Sequence, residues 1–241
     1  MKIDDAQQQL FIAIAFSNIE GIEKACTNGA DLDGFFEDGE TPLTEAILGG
    51  MGNYEAVKEL IRLGSNPNLK DRNGWTPWNA CLFRLQDQVV KEEQEQIYEL
   101  LEEHGASREG EEIIYLWRYS LDGDIDNVRS LLESGVNPNS NLVCPLSVAV
   151  MSGNIELVEL LLLKGANVDG NDPKDHENLT PLIFAANDGN LEMAQLLVNY
   201  GADIGYEVFE GEEKRNAKVY ALDKGHKQLA MWLQEKIEDM A

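Results

Sequence analysis

The sequence holds few side chains of the kinds that catalyse reactions or bind transition metals. Its three histidines, His104, His176 and His226, are each at least 50 residues from the next, and its three cysteines are equally scattered. No pair has metal-ligand spacing, and the chain shows no glycine-rich phosphate loop and no nucleophile elbow. Carboxylates are so abundant that their closeness in sequence says nothing about acid–base catalysis. We therefore expect no enzymatic activity, no cofactor and no metal.

Acidic side chains are the distinctive chemistry of this chain. It has 44 Asp and Glu against 19 Lys and Arg, which gives a formal net charge of −25. A field of this sign repels DNA, RNA and anionic lipid, so it argues against nucleic acid and membrane as ligands and favours a basic protein partner. Composition leaves a second explanation open, in which the acids only keep an extended protein soluble.

The acids are densest between residues 92 and 112, where nine glutamates occur and the nearest positive charges are Lys91 and Arg108. The segment is rich in helix formers, so carboxylates three or four residues apart should share one helix face. These carboxylates belong to Glu92, Glu95, Glu99 and Glu102. Such a face is either a solvated surface or a docking surface for a protein rich in Lys and Arg.

The segment 180–203 shows which elements must position these side chains. Thr180 is a good N-cap and Pro181 suits the first helical position, so a helix should begin there. Gly189 breaks the chain, and a second helix follows with an apolar stripe at helical spacing. Gly201 then ends that helix, because glycine tolerates a positive φ. A single unit of this kind cannot bury its own stripe and needs copies on either side.

Copies of this unit recur along the chain. The helix-ending glycines are 35, 41, 30, 30 and 36 residues apart, at Gly29, Gly64, Gly105, Gly135, Gly165 and Gly201. The Thr-Pro-Leu start at Thr180 recurs at Thr41, and it is altered to Thr-Pro-Trp at Thr76 and Cys-Pro-Leu at Cys144. With a period near 33 residues and two helices per unit, the chain resembles the ankyrin-repeat family over nearly its whole length.

The resemblance implies an all-α fold, an ankyrin-repeat solenoid of stacked helix-turn-helix units with hairpin loops. We expect a single domain over 1–241, with repeats at about 8–34, 35–70, 71–108, 109–139, 140–170, 171–205 and 206–241. The first and last repeats have degenerate starts and should be caps with polar outer faces; Gln7 to Gln9 should form part of the first.

The third and fourth repeats depart most from the pattern. The third has 29 residues from Thr76 to Gly105, against 21 from Thr180 to Gly201, and the added residues include no Gly or Pro. We therefore expect longer helices in the third repeat. The fourth lacks the Thr-Pro-Leu start, and we expect the stack to bend or change register there.

The resemblance also implies where a partner would bind, because ankyrin arrays usually bind through hairpin tips and the exposed side of the first helices. Together with the acidic helix face, the candidate partner-binding residues are Glu37, Asp38, Glu40, Arg72, Trp75, Glu92, Glu95, Glu99, Asp122, His176, Glu177 and Asp188. Trp75 has two interpretations. It is either an exposed anchor among steering charges, or it folds against Trp78 or Trp117 to cover the irregular repeats.

Two hypotheses for function remain. The first is a protein–protein interaction module, most concretely an acidic inhibitor of the immunity or antitoxin type, which masks a basic partner such as a toxin or nuclease. The second is a general ankyrin adaptor or scaffold whose acidity serves solubility only.

The same residues predict the setting in which the protein works. We expect the cysteines to be reduced thiols of a cytoplasmic protein, because they lie in different repeats at structural positions. The apolar stretch 10–16 follows Asp4 and Asp5, where a signal peptide would carry positive charge. No apolar run is long enough to span a membrane. We expect the unbound protein to be monomeric.

Overall fold

The computed structural model describes residues 5–49, 53–84, 91–170, 179–210 and 213–239. Within these ranges the regular secondary structure is helical apart from one short antiparallel hairpin, which confirms the all-α fold class. The helices are α1 Asp5–Ala15, α2 Ile19–Thr27, α3 Pro42–Leu48, α4 Tyr54–Leu63, α5 Pro77–Arg84, α6 Lys91–Glu103, α7 Glu111–Asp122, α8 Ile125–Glu133, α9 Pro145–Met151, α10 Ile155–Leu163, α11 Pro181–Asn187, α12 Leu191–Asn199, α13 Ala217–Asp223 and α14 Lys227–Asp239. The strands are β1 Val208–Glu210 and β2 Glu213–Arg215.

Helix starts follow the capping chemistry of the sequence. Thr41 and Thr180 each accept a hydrogen bond from the backbone N–H three residues later, and a proline follows each. Cys144 takes the same position without a side-chain cap bond, since a thiol is a weak acceptor. Asn or Asp side chains cap the second helices, and these are Asn18, Asn53, Asp124, Asn154 and Asn190.

The structure confirms that the periodic glycines lie at helix ends. The six predicted positions, from Gly29 to Gly201, all have positive φ values between 73° and 107°. A residue with a Cβ would be strained in this conformation, which is why glycine recurs with the period of the helix pairs.

Residues Met1–Ile114 form one compact unit. The helices α1, α3 and α5 pack side by side as one layer, and α2, α4 and α6 pack against them as a second. Leu10, Leu43, Ile47 and Trp78 are at most 1% exposed and form the core between these layers. Burial of each such side chain stabilises the fold by about 1.5–3 kcal/mol.

Residues Tyr115–Ala241 form the second compact unit, and the boundary between the units falls within α7. The helices α9, α11 and α13 pack side by side, and each contacts the second helix of its own pair. Leu157, Leu161, Leu182 and Leu197 are buried in this core. The division into two units leaves the prediction of one continuous domain over 1–241 untested. The seven repeats and the bend or change of register in the fourth likewise stay predictions.

A ladder of side chain–backbone hydrogen bonds joins successive repeats within each unit. In the first unit, Oδ1 of Asp33 accepts from the backbone N–H of Asn66 at 2.9 Å. In the second, Oδ1 of Asn139 accepts from Asn167 at 2.7 Å, and Oδ1 of Asp169 accepts from Asp203 at 2.9 Å. Each accepting residue lies four positions after a helix-ending glycine, so the ladder has the period of the sequence.

The third repeat has the longer helix that its composition predicts. The helix α6 has 13 residues, against nine in α2, α8, α10 and α12. The segment 85–90 lies outside the described residues, as do Gly50 and Gly52 in the second repeat and 171–178 in the sixth.

The first repeat differs from expectation at its start. The helix α1 begins at Asp5, and Gln8 and Gln9 are exposed as expected of a polar outer face, whereas Gln7 is only 8% exposed. Its amide donates to the carbonyl of Asp31 at 3.1 Å and accepts from the Asp31 N–H at 2.9 Å. This pair of bonds ties the helix to its own repeat, because a primary amide offers a donor and an acceptor together.

Within the ranges that the structure describes, no helix is both long enough and apolar enough to cross a lipid bilayer.

Candidate functional site

The hairpin tips of the second and third repeats are fixed against each other in the first unit. Each tip is closed by a backbone bond, Phe36 N–H to the Glu40 carbonyl and Asp71 N–H to the Trp75 carbonyl, both at 2.9 Å. The N–H of Arg72 donates to the carbonyl of Gly39 at 3.0 Å, which joins one tip to the next. Side chains on the two tips therefore occupy defined relative positions.

Three carboxylates meet beside the second-repeat tip. Asp38 and Glu40 come from the tip and Glu45 from the first turn of α3, and one oxygen of each lies within 4.8 Å of the other two. Burial, a hydrogen bond to the Glu45 side chain and the negative charges of Glu45, Asp38 and Asp71 together raise the pKa of Glu40 to about 8. Like charges this close oppose the ionisation of one another.

A fourth carboxylate, Asp71, is buried on the adjoining tip with 5% exposure. Its Oδ1 accepts from the backbone N–H groups of Asn73 at 2.9 Å and Trp75 at 2.8 Å. Its Oδ2 is buried without a hydrogen-bond partner. Burial raises the pKa of Asp71, although these backbone donors and the Thr44 hydroxyl favour the charged form. Asp71 therefore closes its own tip through backbone bonds, and its charge also raises the pKa of Glu40 on the adjoining tip.

Trp75 and Arg72 both pack onto aromatic rings. The Trp75 ring is partly buried and lies 5.2 Å from the ring of Phe83, centroid to centroid. The structure shows Phe83 as a ring partner of Trp75, and neither of the two interpretations of Trp75 is settled by this contact. The guanidinium of Arg72 lies 4.6 Å from the centroid of the Phe35 ring, a cation–π distance.

The outer side of α6 carries the predicted row of carboxylates. We call it the acidic face, and its exposed members are Glu92, Glu95, Glu99, Glu102 and Glu103. Glu102 forms an ion pair with Arg108. Glu93 belongs to the same acidic run but turns inward, where Oε1 accepts the backbone N–H of Tyr54 at 2.8 Å. The acidic run is thus divided between an outward surface and one structural contact with α4.

The other sequence candidates are distributed over both units. Glu37 is exposed on the second-repeat tip of the first unit. Asp122 ends α7 and Asp188 follows α11, both exposed in the second unit. His176 and Glu177 lie outside the described residues. A role in partner binding stays a prediction for every residue of the candidate set.

The histidines and cysteines of the described residues have structural surroundings. Nε2 of His226 lies 3.0 Å from the carbonyl of Asn187, which links the last two repeats, and Nδ1 of His104 lies 2.8 Å from the carbonyl of Leu100. Cys81 is fully buried, and burial raises the pKa of its thiol to about 12. A thiol of this kind is a poor nucleophile.

Glu45 and Asp71 were not among the sequence candidates. Asp38 and Glu40, two residues apart, are the sequence signal that indicates acids on this tip. Glu45 gives no such signal, because acids are common in the first turn of a helix. The sequence indicates that Asp71 is a turn residue, and in the structure it has that role. Glu45 approaches Asp38 and Glu40 within one repeat, whereas only the contact between successive tips brings the charge of Asp71 near Glu40, and a single sequence does not show that contact.

Two family matches place the chain among known proteins. Residues 146–240 match a model described as ankyrin repeats in three copies, and residues 38–72 match a model of the ankyrin repeat. The helix pairs, glycine ends and hairpin tips define the class as a protein of stacked helical repeats. The chain belongs to the ankyrin-repeat family, whose repeats typically form non-enzymatic modules for protein–protein interaction.

Three curated proteins are similar to this chain over part of their own length. Dynein axonemal heavy chain 12 of Bos taurus is 49% identical over 47 residues, 20% of this chain and 13% of that protein. Ankyrin repeat and SOCS box protein 14 of Mus musculus is 47% identical over 47 residues, 20% of this chain and 8% of that protein. Putative E3 ubiquitin-protein ligase XBAT34 of Arabidopsis thaliana is 34% identical over 102 residues, 42% of this chain and 25% of that protein.

A solved structure, the human ASB11 ankyrin repeat domain, is 25% identical with a TM-score of 0.42, and the match covers 93% of this chain and 96% of that one. By contrast, the chain spans a quarter or less of the length of each of the three curated relatives.

Proposed function

We propose that the chain binds a basic protein partner through the acidic face of α6. In its most concrete form, the protein is an inhibitor of the immunity or antitoxin type that masks the cationic cleft of a toxin or nuclease. Membership of the ankyrin-repeat family supports a protein as the partner. The basic character of that partner rests on the charge of the surface.

The exposure of the acidic face carries this proposal. Glu92, Glu99 and Glu103 are exposed on a helix whose sequence has one basic residue, Lys91 at its first position, against six glutamates. Like charges at three- or four-residue spacing destabilise an isolated helix by a few tenths of a kcal/mol each, so the arrangement does not serve the helix itself. With a net charge of −25, the protein would attract a basic surface from several Å away.

The tip residues extend the proposed surface within the first unit. Glu37 and Asp38 are exposed on the second-repeat tip, and Trp75 on the next tip is partly buried. A partly buried Trp beside carboxylates combines an apolar contact with steering charge, which is the composition of many binding hot spots.

The test compares two variants with equal change of net charge. One is Glu92→Gln/Glu99→Gln/Glu103→Gln on the acidic face, and its control is Glu133→Gln/Glu159→Gln/Glu192→Gln, three exposed carboxylates of the second unit. Proteins retained by the immobilised chain from its native source are identified and their affinity is measured. We expect a basic partner that loses at least tenfold in affinity for the first variant and little for the control. Equal losses would show that only total charge matters.

The adaptor hypothesis is the second candidate, and the relatives favour it. One is named as a putative E3 ubiquitin-protein ligase and another as an ankyrin repeat and SOCS box protein, although each matches only part of this chain. An adaptor whose acidity serves solubility should bind a partner without a basic patch. Neutralising the acidic face should then leave affinity unchanged, whereas Trp75→Ala should abolish binding.

A further inference from the structure

The last helix pair of the second unit leaves a groove of about 800 Å³ open to solvent. We call it the end groove, and the side chains that line it include Lys218, Leu222, Met231, Trp232, Glu235 and Glu238. Leu222 is 50% exposed and Met231 is 73% exposed, so the polar outer face expected of the last repeat is interrupted by apolar side chains. Exposed apolar side chains that are grouped together mark interaction surfaces, whereas scattered ones do not.

The register of the repeats shows that this face is of the kind that another helix covers. Leu222 lies three residues before the glycine between the two helices, which is the position of Ala186 and Val150 in the two preceding repeats. Ala186 and Val150 are at most 3% exposed, because α13 packs on α11 and α11 packs on α9. The face of α13 that carries Leu222 is therefore a helix-packing surface on which the described residues place no helix.

The helices that form the end groove are electrically balanced, unlike the chain as a whole. Residues 217–239 carry four basic and four acidic side chains, whereas the full chain has a net charge of −25. A second copy of this acidic chain is thus repelled less at this face than at a surface with the average charge of the protein.

The charges of α14 are placed against its own macrodipole. Its first turn holds Lys227 and no acid, and its last turn holds Glu238 and Asp239 as well as Lys236. Lys236 bonds to Asp239 at 3.2 Å, whereas Glu238 accepts a neutral amide N–H from Gln234 at 2.7 Å. A cation near the N-terminus of a helix and an anion near its C-terminus are both unfavourable. Opposite charges from outside the helix would offset both.

A second α14 that runs antiparallel supplies these charges. Lys227 and Glu238 are separated by about three helical turns, so both share one face of α14 with Met231. They are about 16 Å apart along the axis and cannot pair within one helix. When two antiparallel α14 helices are centred between Trp232 and Leu233, Lys227 of each copy lies beside Glu238 of the other.

We propose that two copies of the chain associate through the end groove, with their α14 helices antiparallel across a two-fold axis. Leu222, Met231 and Trp232 of both copies form the apolar centre of the contact, and a pair of Lys227 with Glu238 closes each end. An interface of this kind uses the same patch on both copies and stops at a dimer. Since the face is only two helices wide, the dimer should be weak, with a dissociation constant in the micromolar range. This inference goes beyond the proposed function, and the dimer would replace the monomer expected from the sequence.

Sedimentation velocity of the purified full chain, at concentrations of about 1–300 µM that bracket a micromolar dissociation constant, tests the proposal. We expect the mass to rise with concentration from 26.9 kDa towards twice that value and no further. Met231→Glu should weaken self-association at least about tenfold, because it places a charge in the apolar centre. The matched control is Leu163→Glu on α10, which changes a side chain of similar exposure, 69%, and should dimerise like the wild type.

Charge reversal tests the antiparallel arrangement by itself. Lys227→Glu and Glu238→Lys should each weaken self-association at least about threefold, because each places like charges at both ends of the contact. An equal mixture of the two variants should associate as tightly as the wild type, since both ends of the mixed dimer then pair opposite charges. The two variants change net charge in opposite directions, so an effect of total charge alone would strengthen one and weaken the other.

Three results would overturn the two-fold contact. They are a constant mass over the whole concentration range, self-association of Met231→Glu equal to that of the wild type, and a mixture of the charge variants that associates no better than either one. Growth beyond a dimer that Phe16→Ser abolishes would also overturn it, since this would indicate head-to-tail contact with the first repeat, where Phe16 is 80% exposed. Circular dichroism checks that each variant folds, and Leu222→Ser replaces Met231→Glu if that variant does not. The experiment contains no partner and the acidic face lies in the first unit, so either proposal can fail without the other.

Discussion

Glu40 shows at the scale of single residues how the fold changes the properties of a side chain. In the unfolded chain its pKa is near 4.5, whereas in the folded tip burial and the adjacent carboxylates raise its pKa to about 8. Between these values the folded protein holds a proton that the unfolded chain has released. The free energy of unfolding must therefore fall as the pH rises through this window.

Glu40→Gln should remove this dependence on pH. Measured by urea unfolding, wild-type stability should drop by about 1–2 kcal/mol from pH 5 to pH 8, a figure reduced to allow for the partial exposure of Glu40. The variant should match the wild type at pH 5 and exceed it at pH 8. Glu192→Gln, which removes an exposed carboxylate from α12, should keep the wild-type slope. Equal slopes for wild type and Glu40→Gln would contradict this account of the tip.

Cys81 gives a second prediction at the residue scale. Its thiol is fully buried and its pKa is raised to about 12, whereas Cys26 and Cys144 are partly exposed. Alkylation by iodoacetamide at pH 8, followed by mass spectrometry, should modify Cys81 at least about tenfold more slowly than Cys144, because the site must first open. In denaturant all three thiols should react alike. Rapid labelling of Cys81 in the folded protein would show that α5 is not packed as described.

At the scale of elements, helix pairs and their boundaries follow closely from the sequence. Thr41 and Thr180 cap helices where expected, and the periodic glycines all take positive φ values. These features are local, so residue type alone determines them. Cys144 differs from the two threonines, because the helix begins there without a side-chain cap bond.

Contacts between repeats were the part that could not be predicted from one sequence. The Thr-Pro-Leu motif indicates where a tip lies, but not that Asn73 of one tip bonds to the Asp38 carbonyl of another. Likewise, Glu93 and Glu92 are indistinguishable by type, and only the packing of α6 on α4 turns Glu93 towards Tyr54. The Gln7 prediction was wrong for the same reason, since its partner at Asp31 lies 24 residues away.

The side-chain ladder between repeats is the element-scale feature that is simplest to test. Asn139→Ala removes a bond from Nδ2 to the Gly165 carbonyl at 2.9 Å and a bond to Oδ1 from Asn167 at 2.7 Å. We expect a loss of about 1–3 kcal/mol in the free energy of unfolding in urea. Asn141→Ala, at an exposed tip position, should cost under about 0.5 kcal/mol. If both variants are equally stable, the ladder does not hold successive repeats together.

At the scale of the whole molecule, charge is the property that most constrains function. A net charge of −25 acts over distances comparable with the Debye length, about 10 Å at 0.1 M salt. The acidic face of α6 concentrates part of this charge on one exposed helix surface of the first unit. Long-range attraction increases the rate at which partners associate more than it changes the lifetime of the complex.

The association rate of the captured partner, measured as a function of ionic strength, tests the central proposal most directly. For the wild type we expect the rate to fall at least about tenfold between 0.02 and 0.5 M salt. Glu92→Gln/Glu99→Gln/Glu103→Gln should associate more slowly at low salt and show a shallower dependence, while the control in the second unit should resemble the wild type. An association rate that is independent of salt, with both variants indistinguishable from the wild type, would contradict the proposed acidic docking surface.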